Sequence, residues 1–179
     1  MRSGSFIRTT VALSAILLLT GMPPEARVLP GPANPRGTPP RMRPGELLVA
    51  SPDLRDPNFH RTAILVIRHN DKGAFGLVVN RVLGRMKLAV LIKRLGLDAP
   101  KTADEIAVHY GGPVQPERGF VVHSTEKKLP NTVPVNADIA FTSNPVALRA
   151  IALGQGPRRT LFAVGYAGWG PGQLDAEMR

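Results

Sequence analysis

The chain of 179 residues contains no cysteine. Disulfides, thiolate nucleophiles, cysteine-type zinc sites and iron–sulfur clusters are therefore excluded, while an oxidising compartment and the cytosol both remain open. Aromatic residues are scarce: six Phe, two Tyr and Trp169 alone. Long apolar runs are missing too, the leader's Val11–Leu19 stretch being broken by Ser14 and too short to span a bilayer comfortably. Standard nucleophile and metalloprotease signatures (G-x-S-x-G, H-E-x-x-H, S-x-x-K) do not occur, nor does a P-loop. Ser51 and Ser124 are available hydroxyls, but nothing in their surroundings marks either as activated.

Acid is nearly absent from the first 44 residues, which hold six Arg and one Glu, a balance of +5. The formal charge of the whole chain is +10, so half of it lies outside the region able to fold, and the basic pI is a poor argument for nucleic-acid binding. Arg2 and Arg8 followed by the apolar run read as a signal peptide or short membrane anchor over residues 1–22, with a membrane tether through 9–22. The cleavage signal is weak: Ala26 at −1 would put Pro24 at −3. Export to the periplasm or anchoring in the inner membrane is the expectation, and a cytoplasmic chain starting at Met42 is its alternative. Residues 23–44 hold eight Pro with almost nothing large and apolar, and read as an extended, disordered linker.

From residue 45 onward the chain reads as one domain. Glu46–Ser51 is a short strand, and the Pro- and Asp-rich stretch 51–62 a loop. Thr62–His69 has the continuous apolar character of a strand buried on both faces. His69 to Gly73 is a hairpin turn, and Ala74–Arg81 the returning strand. Leu88, Leu91, Ile92 and Leu95 fall on one face of a helix over 87–95 that Gly96 stops. Strands are expected at 106–110, 119–123, 138–142 and 160–165. A helix begins after Ser143-Asn144-Pro145 and runs to about Gly154. A glycine-rich loop occupies 165–172, and a last helix begins at Gln173. Hairpins mixed with helices predict an α+β domain with a mixed sheet, an α/β sandwich being the alternative.

Several groups could carry chemistry. Asp53, Asp56 and Arg61 share one loop with His60, a set able to bind a ligand or do acid–base work if the carboxyl pKa values were pushed apart. The plainer reading is that Asp side chains bond their own loop backbone. His69 and Asp71 flank the hairpin turn as an H-x-D pair, and a metal there would need further ligands such as His109 or His123 brought in by the fold. Turn chemistry and partly buried histidines account for the same residues. Gly111-Gly112-Pro113 and the segment GYAGWGPG over 165–172 follow strands and could form anion nests. Tight turns and close packing under Trp169 explain these glycines as well. Between Asp71 and Asp98 lie six basic residues and no acid, which is a polyanion footprint or simply the solvated face of a helix.

Four segments then stand out in order: SPDLRDPNFHRT, HNDKGAFGLVVNR, YGGPVQPERGFVVH and VGYAGWGPGQLDAE. In content and spacing they resemble the YqgE/AlgH family of bacterial proteins over about residues 45–179. The resemblance implies an α+β fold with a mixed, strongly bent sheet flanked by helices. It implies no agreed activity or catalytic residue, although some members are described as transcriptional regulators. The motif positions Asp53, Asp56, Arg61, Asn80, Gly111, Gly112, Arg118, His123, Tyr166 and Trp169, with His69, form the candidate ligand or functional surface. No catalytic residue, metal or cofactor is assigned. Family members begin near the position of Gly45 and continue past the glutamine-containing helix, so the domain is expected to lack the usual last strand. A strand edge left open in that way would invite self-association.

Three functions follow. The first is a non-catalytic binding or interaction module of the cell envelope, its partner an unknown protein or small-molecule ligand. The second is a cytosolic transcriptional regulator, which requires the leader to be spurious; nucleic acid is disfavoured as a partner if the chain is exported. The third is an enzyme using the 53–61 loop with His69 or His123, which requires those side chains to converge in one cleft.

Overall fold

A computed structural model describes residues 6–9 and 41–178. The apolar run of the leader and the proline-rich segment up to residue 40 lie outside the described residues. Among the described residues, thirteen elements follow in order: β1 (Phe6–Thr9), β2 (Leu47–Ala50), β3 (Ala63–Asn70), β4 (Gly73–Val78), β5 (Val82–Lys87), α1 (Leu88–Arg94), β6 (Glu105–Tyr110), β7 (Val114–Ser124), β8 (Val133–Pro134), β9 (Ile139–Thr142), α2 (Val146–Ala152), β10 (Thr160–Trp169) and α3 (Gln173–Glu177).

All ten strands belong to one sheet, whose main path runs β1-β2-β3-β4-β10-β7-β9-β8, with β6 and then β5 branching from β10. Strand β10 organises it. Residues Phe162–Val164 pair in parallel with β6, while Thr160–Val164 pair antiparallel with β7. Beyond a register shift at Gly165, Ala167–Trp169 leave β6 and pair antiparallel with β4. The sheet is therefore mixed and bent at one point, as the family resemblance implies, and the domain is α+β.

Local sequence explains the elements. The β3–β4 hairpin closes on Asp71-Lys72, with Asn70 opposite Gly73. In α1, Leu88, Leu91 and Ile92 are buried, while Lys93 and Arg94 sit in the last turn, where cations suit the helix dipole. At α2 the Asn144 carboxamide oxygen accepts the Val146 N–H at 2.9 Å, and Pro145 supplies a preset helical φ.

Two segments depart from the sequence reading. Val82–Lys87 is a strand, although no alternation announces it. It is a sheet edge paired only with β6, with Val82 and Leu83 more than half exposed, so burial leaves no pattern in its residues. Its Arg85 and Lys87 are of the kind that discourages edge-to-edge pairing. Residues 166–169 continue β10 rather than forming a glycine-rich loop. The glycines are there because the backbone is crowded, not because the chain is irregular.

Alternate residues feed opposite faces of the sheet. Ile64, Val66, Ala74 and Val78 pack with Trp169 and Leu174 of α3. Val121 and Phe162 pack with Leu88, Leu91 and Ile92 of α1 and with Ala147 and Leu148 of α2. Leu65, Ile67, Leu77 and Phe120 point the other way, joined by the half-buried Phe75, Phe141 and Tyr166. No described helix contributes to that second face.

Candidate functional site

The loop 53–61 is held by side chains spent on its own backbone. The Asp56 carboxylate accepts the Asn58 N–H at 2.8 Å, and the Asp56 carbonyl accepts the N–H groups of Phe59 and His60. Asn80 reaches in from the end of β4: its Oδ1 accepts the Ala63 N–H and its Nδ2 donates to the Arg61 carbonyl, both at 2.9 Å. Arg81 donates to the carbonyls of Pro57 and Asn58 at 3.2 Å and of His60 at 2.9 Å. Its guanidinium lies 5.2 Å from the centre of the Tyr110 ring. Burial pushes the Tyr110 hydroxyl pKa up, the Arg81 charge opposes the rise, and Asp56 adds to it. Tyr110 stays a proton donor, towards Asn58 Oδ1 at 3.3 Å. Arg81→Ala should cost about 1–2 kcal/mol and speed amide exchange across 53–61. Arg81→Lys should not restore the loop, because an ammonium cannot span three carbonyls and a ring as the planar fork does.

Within the loop, His60 Nδ1 contacts the Leu54 carbonyl at 2.9 Å, while the other three histidines are engaged with partners outside it. His69 lies at the far end of β3, roughly 20 Å along the strand from Ala63 at ~3.3 Å per residue. Its side chain is buried, its Nδ1 accepts the Met42 N–H at 3.0 Å, and its Nε2 stands 3.4 Å from Asp175 Oδ2. A ring nitrogen that accepts carries no proton, so the neutral ring keeps its proton on Nε2, towards Asp175. The other oxygen, Asp175 Oδ1, is buried without a hydrogen-bond partner. Asp71 instead pairs with Arg41 on the surface, so the H-x-D pair does not converge. His109 Nδ1 contacts the Phe162 carbonyl at 3.2 Å, which anchors it to β10. His123 is buried, with Nδ1 at 2.8 Å from the Ser124 carbonyl and Nε2 at 3.2 Å from the Thr132 hydroxyl. No group of three or more metal-ligating side chains occurs among the described residues. The convergence that an enzyme built on 53–61 requires is not found among these residues.

Gly111 and Gly112 mark a backbone crossing. A Cβ on Gly111 would stand 2.2 Å from the Gly165 carbonyl oxygen, and one on Gly112 would stand 2.2 Å from the Tyr166 carbonyl carbon. The Gly111 N–H donates to the Val164 carbonyl at 2.8 Å, and the Gly170 N–H to Gln173 Oε1 at 3.1 Å. These amides are engaged in the protein's own bonds, which argues against anion nests.

Near Ser124 a carboxylate is strongly perturbed. Glu126 accepts the Arg158 backbone N–H and the Ser124 hydroxyl, and these bonds, in that order, hold its pKa down at about 2. A folded pKa below the ordinary carboxylate value means that this tie supports the fold fully above about pH 4.5. The support fades as pH falls through about 2. In an NMR titration the Arg158 amide should therefore move only near the acid end, and Glu126→Gln should abolish that movement.

On the face to which no described helix contributes lies an open groove of about 780 Å³, lined by Phe75, Phe120, Phe141, Tyr166, Arg68 and Arg118, together with Trp169 and Ser143. This volume is that of a small-molecule site. The Phe75 ring is the hub: its centre is 4.9 Å from Tyr166, 5.6 Å from Phe120 and 5.9 Å from Phe141. Tyr166 meets Phe120 edge-on at 6.0 Å. The rings come from β4, β7, β9 and β10. Arg118 arrives by an excursion in β7. Val114 pairs with Tyr166 and Gly119 with Val164, so residues 115–118 leave the ladder, helped by Gln115 at φ 48°. The Arg118 guanidinium lies 5.4 Å from the centre of the Phe120 ring and donates to Gln115 Oε1 at 3.4 Å. Of the sequence-predicted surface, Arg118, Tyr166 and Trp169 line this groove, whereas Asp53, Asp56, Arg61 and Asn80 belong to the separate loop. The sequence reading missed Phe75, Phe120, Phe141 and Arg68. Their only signal was alternation, which places Phe75 opposite the buried Ala74.

These features define a class: small α+β domains with one bent, mixed sheet, helices on one face and a pocket on the other. Within it, the chain belongs to the AlgH-like family DUF179, whose pattern matches residues 47–179. A UPF0301 protein of Paracoccus denitrificans is 43% identical over 138 residues, covering 75% of this chain and 73% of the relative. The solution structure of the AlgH protein of Pseudomonas aeruginosa is similar with a TM-score of 0.61 and 38% identity, over 73% of this chain and 69% of that one. The crystal structure of DIP2367 from Corynebacterium diphtheriae, at 22% identity over 76% of this chain and 71% of that one, shares the fold with a TM-score of 0.59.

Proposed function

We propose that the protein is a non-catalytic binding or interaction module of the cell envelope that works through the aromatic groove. The observation that carries the binding part is the groove itself: a ligand-sized concavity, floored by four aromatic rings, on the sheet face to which no described helix contributes. Support for the envelope part comes from the sequence, in Arg2, Arg8 and the apolar run Val11–Leu19. Fractionating cells that express the full chain, and identifying its N-terminal peptide by mass spectrometry, tests that part. Recovery from the periplasm or inner membrane is expected; a cytosolic chain starting at Met42 would overturn it.

A cytosolic transcriptional regulator is the second reading. The exposed Lys87, Lys93 and Arg94 around α1 favour it, while Arg85 is engaged with Glu105 at 3.3 Å. It predicts DNA affinity that falls steeply as salt rises. The envelope reading predicts no DNA binding at physiological salt.

A further inference from the structure

We infer that the groove selects small planar anions: an aromatic ring system bearing one carboxylate or phosphate. The inference rests on the proposed role of the groove and names its ligand class. Three observations carry it. First, the floor is aromatic, with Phe75, Phe141 and Tyr166 half-buried around the buried Phe120 and ring centres 4.9 to 6.0 Å apart. Rings at such spacings leave faces and edges on which a further ring can stack or tilt. Second, the charge of the lining has one sign. Arg68 and Arg118 line the groove, and no Asp or Glu is among its lining residues. Third, Arg118 is partly preorganised. Its guanidinium rests over Phe120 and is tied to Gln115, on a stretch of β7 that leaves the ladder at that point. A guanidinium held over a ring presents its remaining N–H groups as a fork suited to a carboxylate or phosphate.

The ring floor and the arginines stand together, so a single molecule can satisfy both. Its ring covers Phe75 and Tyr166, and its anionic group reaches Arg118 or Arg68. A neutral ring would leave the arginines without a counter-charge, and a cation would be repelled. A bare inorganic anion would gain nothing from the floor.

The test uses the full chain and three probes of one shape: naphthalene-2-carboxylate, 2-naphthyl phosphate and neutral 2-naphthalenemethanol. Affinity is read by calorimetry and location by amide shifts in an NMR spectrum. Both anions are expected to bind more tightly than the alcohol, with shifts centred on Phe75, Phe120 and Tyr166. The order of the two anions says whether carboxylate or phosphate is the better fit. Exposed Arg68→Gln and Arg118→Gln should each weaken the anions about fivefold, since exposed ion pairs are worth up to about 1 kcal/mol. Both changes should weaken the alcohol less than the anions, and circular dichroism should show the fold retained. Equal binding of anion and alcohol at the groove would overturn the ligand class while leaving the groove as the working surface. Shifts elsewhere, or no binding of any probe, would overturn both. Binding of an acidic peptide at the groove without any binding of the naphthalene anions would overturn the inference in favour of a protein partner.

Discussion

Gly165→Ala should destabilise the domain by about 3–5 kcal/mol, which is a large part of the stability of an ordinary domain. Two effects add. Gly165 has φ +72°, a conformation costing an L-residue about 1–2 kcal/mol. A Cβ there would also stand 2.2 Å from the Gly112 carbonyl oxygen, and that neighbour is backbone, which no rotamer change can move aside. Gly154 offers the control, since its φ of +70° is nearly the same and no atom stands within 4 Å of its added Cβ. Gly154→Ala should therefore lose only the conformational part, about 1–2 kcal/mol. Urea unfolding of the two variants separates the effects. Equal losses would mean that the close backbone crossing contributes nothing.

The second large effect is expected at Phe75. Its ring touches three others and is half-buried, so Phe75→Ala should cost about 2–4 kcal/mol, at or below the range for a fully buried ring. It should also open the groove floor and reduce naphthalene-2-carboxylate binding more than tenfold, because the ligand's ring loses its central contact. Phe75→Leu should recover most of the stability and little of the binding, since a branched aliphatic side chain fills volume but offers no ring face. Thermal unfolding and calorimetry on the two variants read these quantities separately. If the leucine variant bound as well as the wild type, the floor would be acting by volume alone.

The fold was legible wherever a local signal sufficed. The hairpin at 69–73, the helix starting near Leu88 and the Asn144-Pro145 start of α2 each declare themselves within a few residues, through turn chemistry, 3.6-residue spacing and capping. The β5 edge was not legible, because a strand largely facing water has no buried face to imprint a pattern. The course of β10 past Gly165 was not legible either. Glycines demanded by a neighbouring backbone look, in sequence, the same as glycines of a loop. The site divides in the same way. The Asp-rich loop attracted notice through its residue types, yet its polar groups serve its own backbone. The groove depends on Phe75, Phe120, Phe141 and Tyr166, spread over four strands. Alternation says which side each ring takes, but only the pairing of β10 with β4 and β7, and of β7 with β9, makes them neighbours. Arg118 joins them through a break in the ladder that no periodicity encodes.

The position of β10 sets the order of events during synthesis. The strand that joins β4, β6 and β7 is the last of the ten to leave the ribosome. Until residue 169 has emerged, the hairpin of β3 and β4 and the ribbon of β5 and β6 have no common partner, and the aromatic floor lacks Tyr166. The expected order is therefore late: most of the apolar surface of these pieces is covered only once β10 joins them. With a linker long enough to span the exit tunnel added after Arg179, an arrested chain carrying the whole of β10 should be protease-resistant, and one cut before Thr160 and given the same linker should be sensitive.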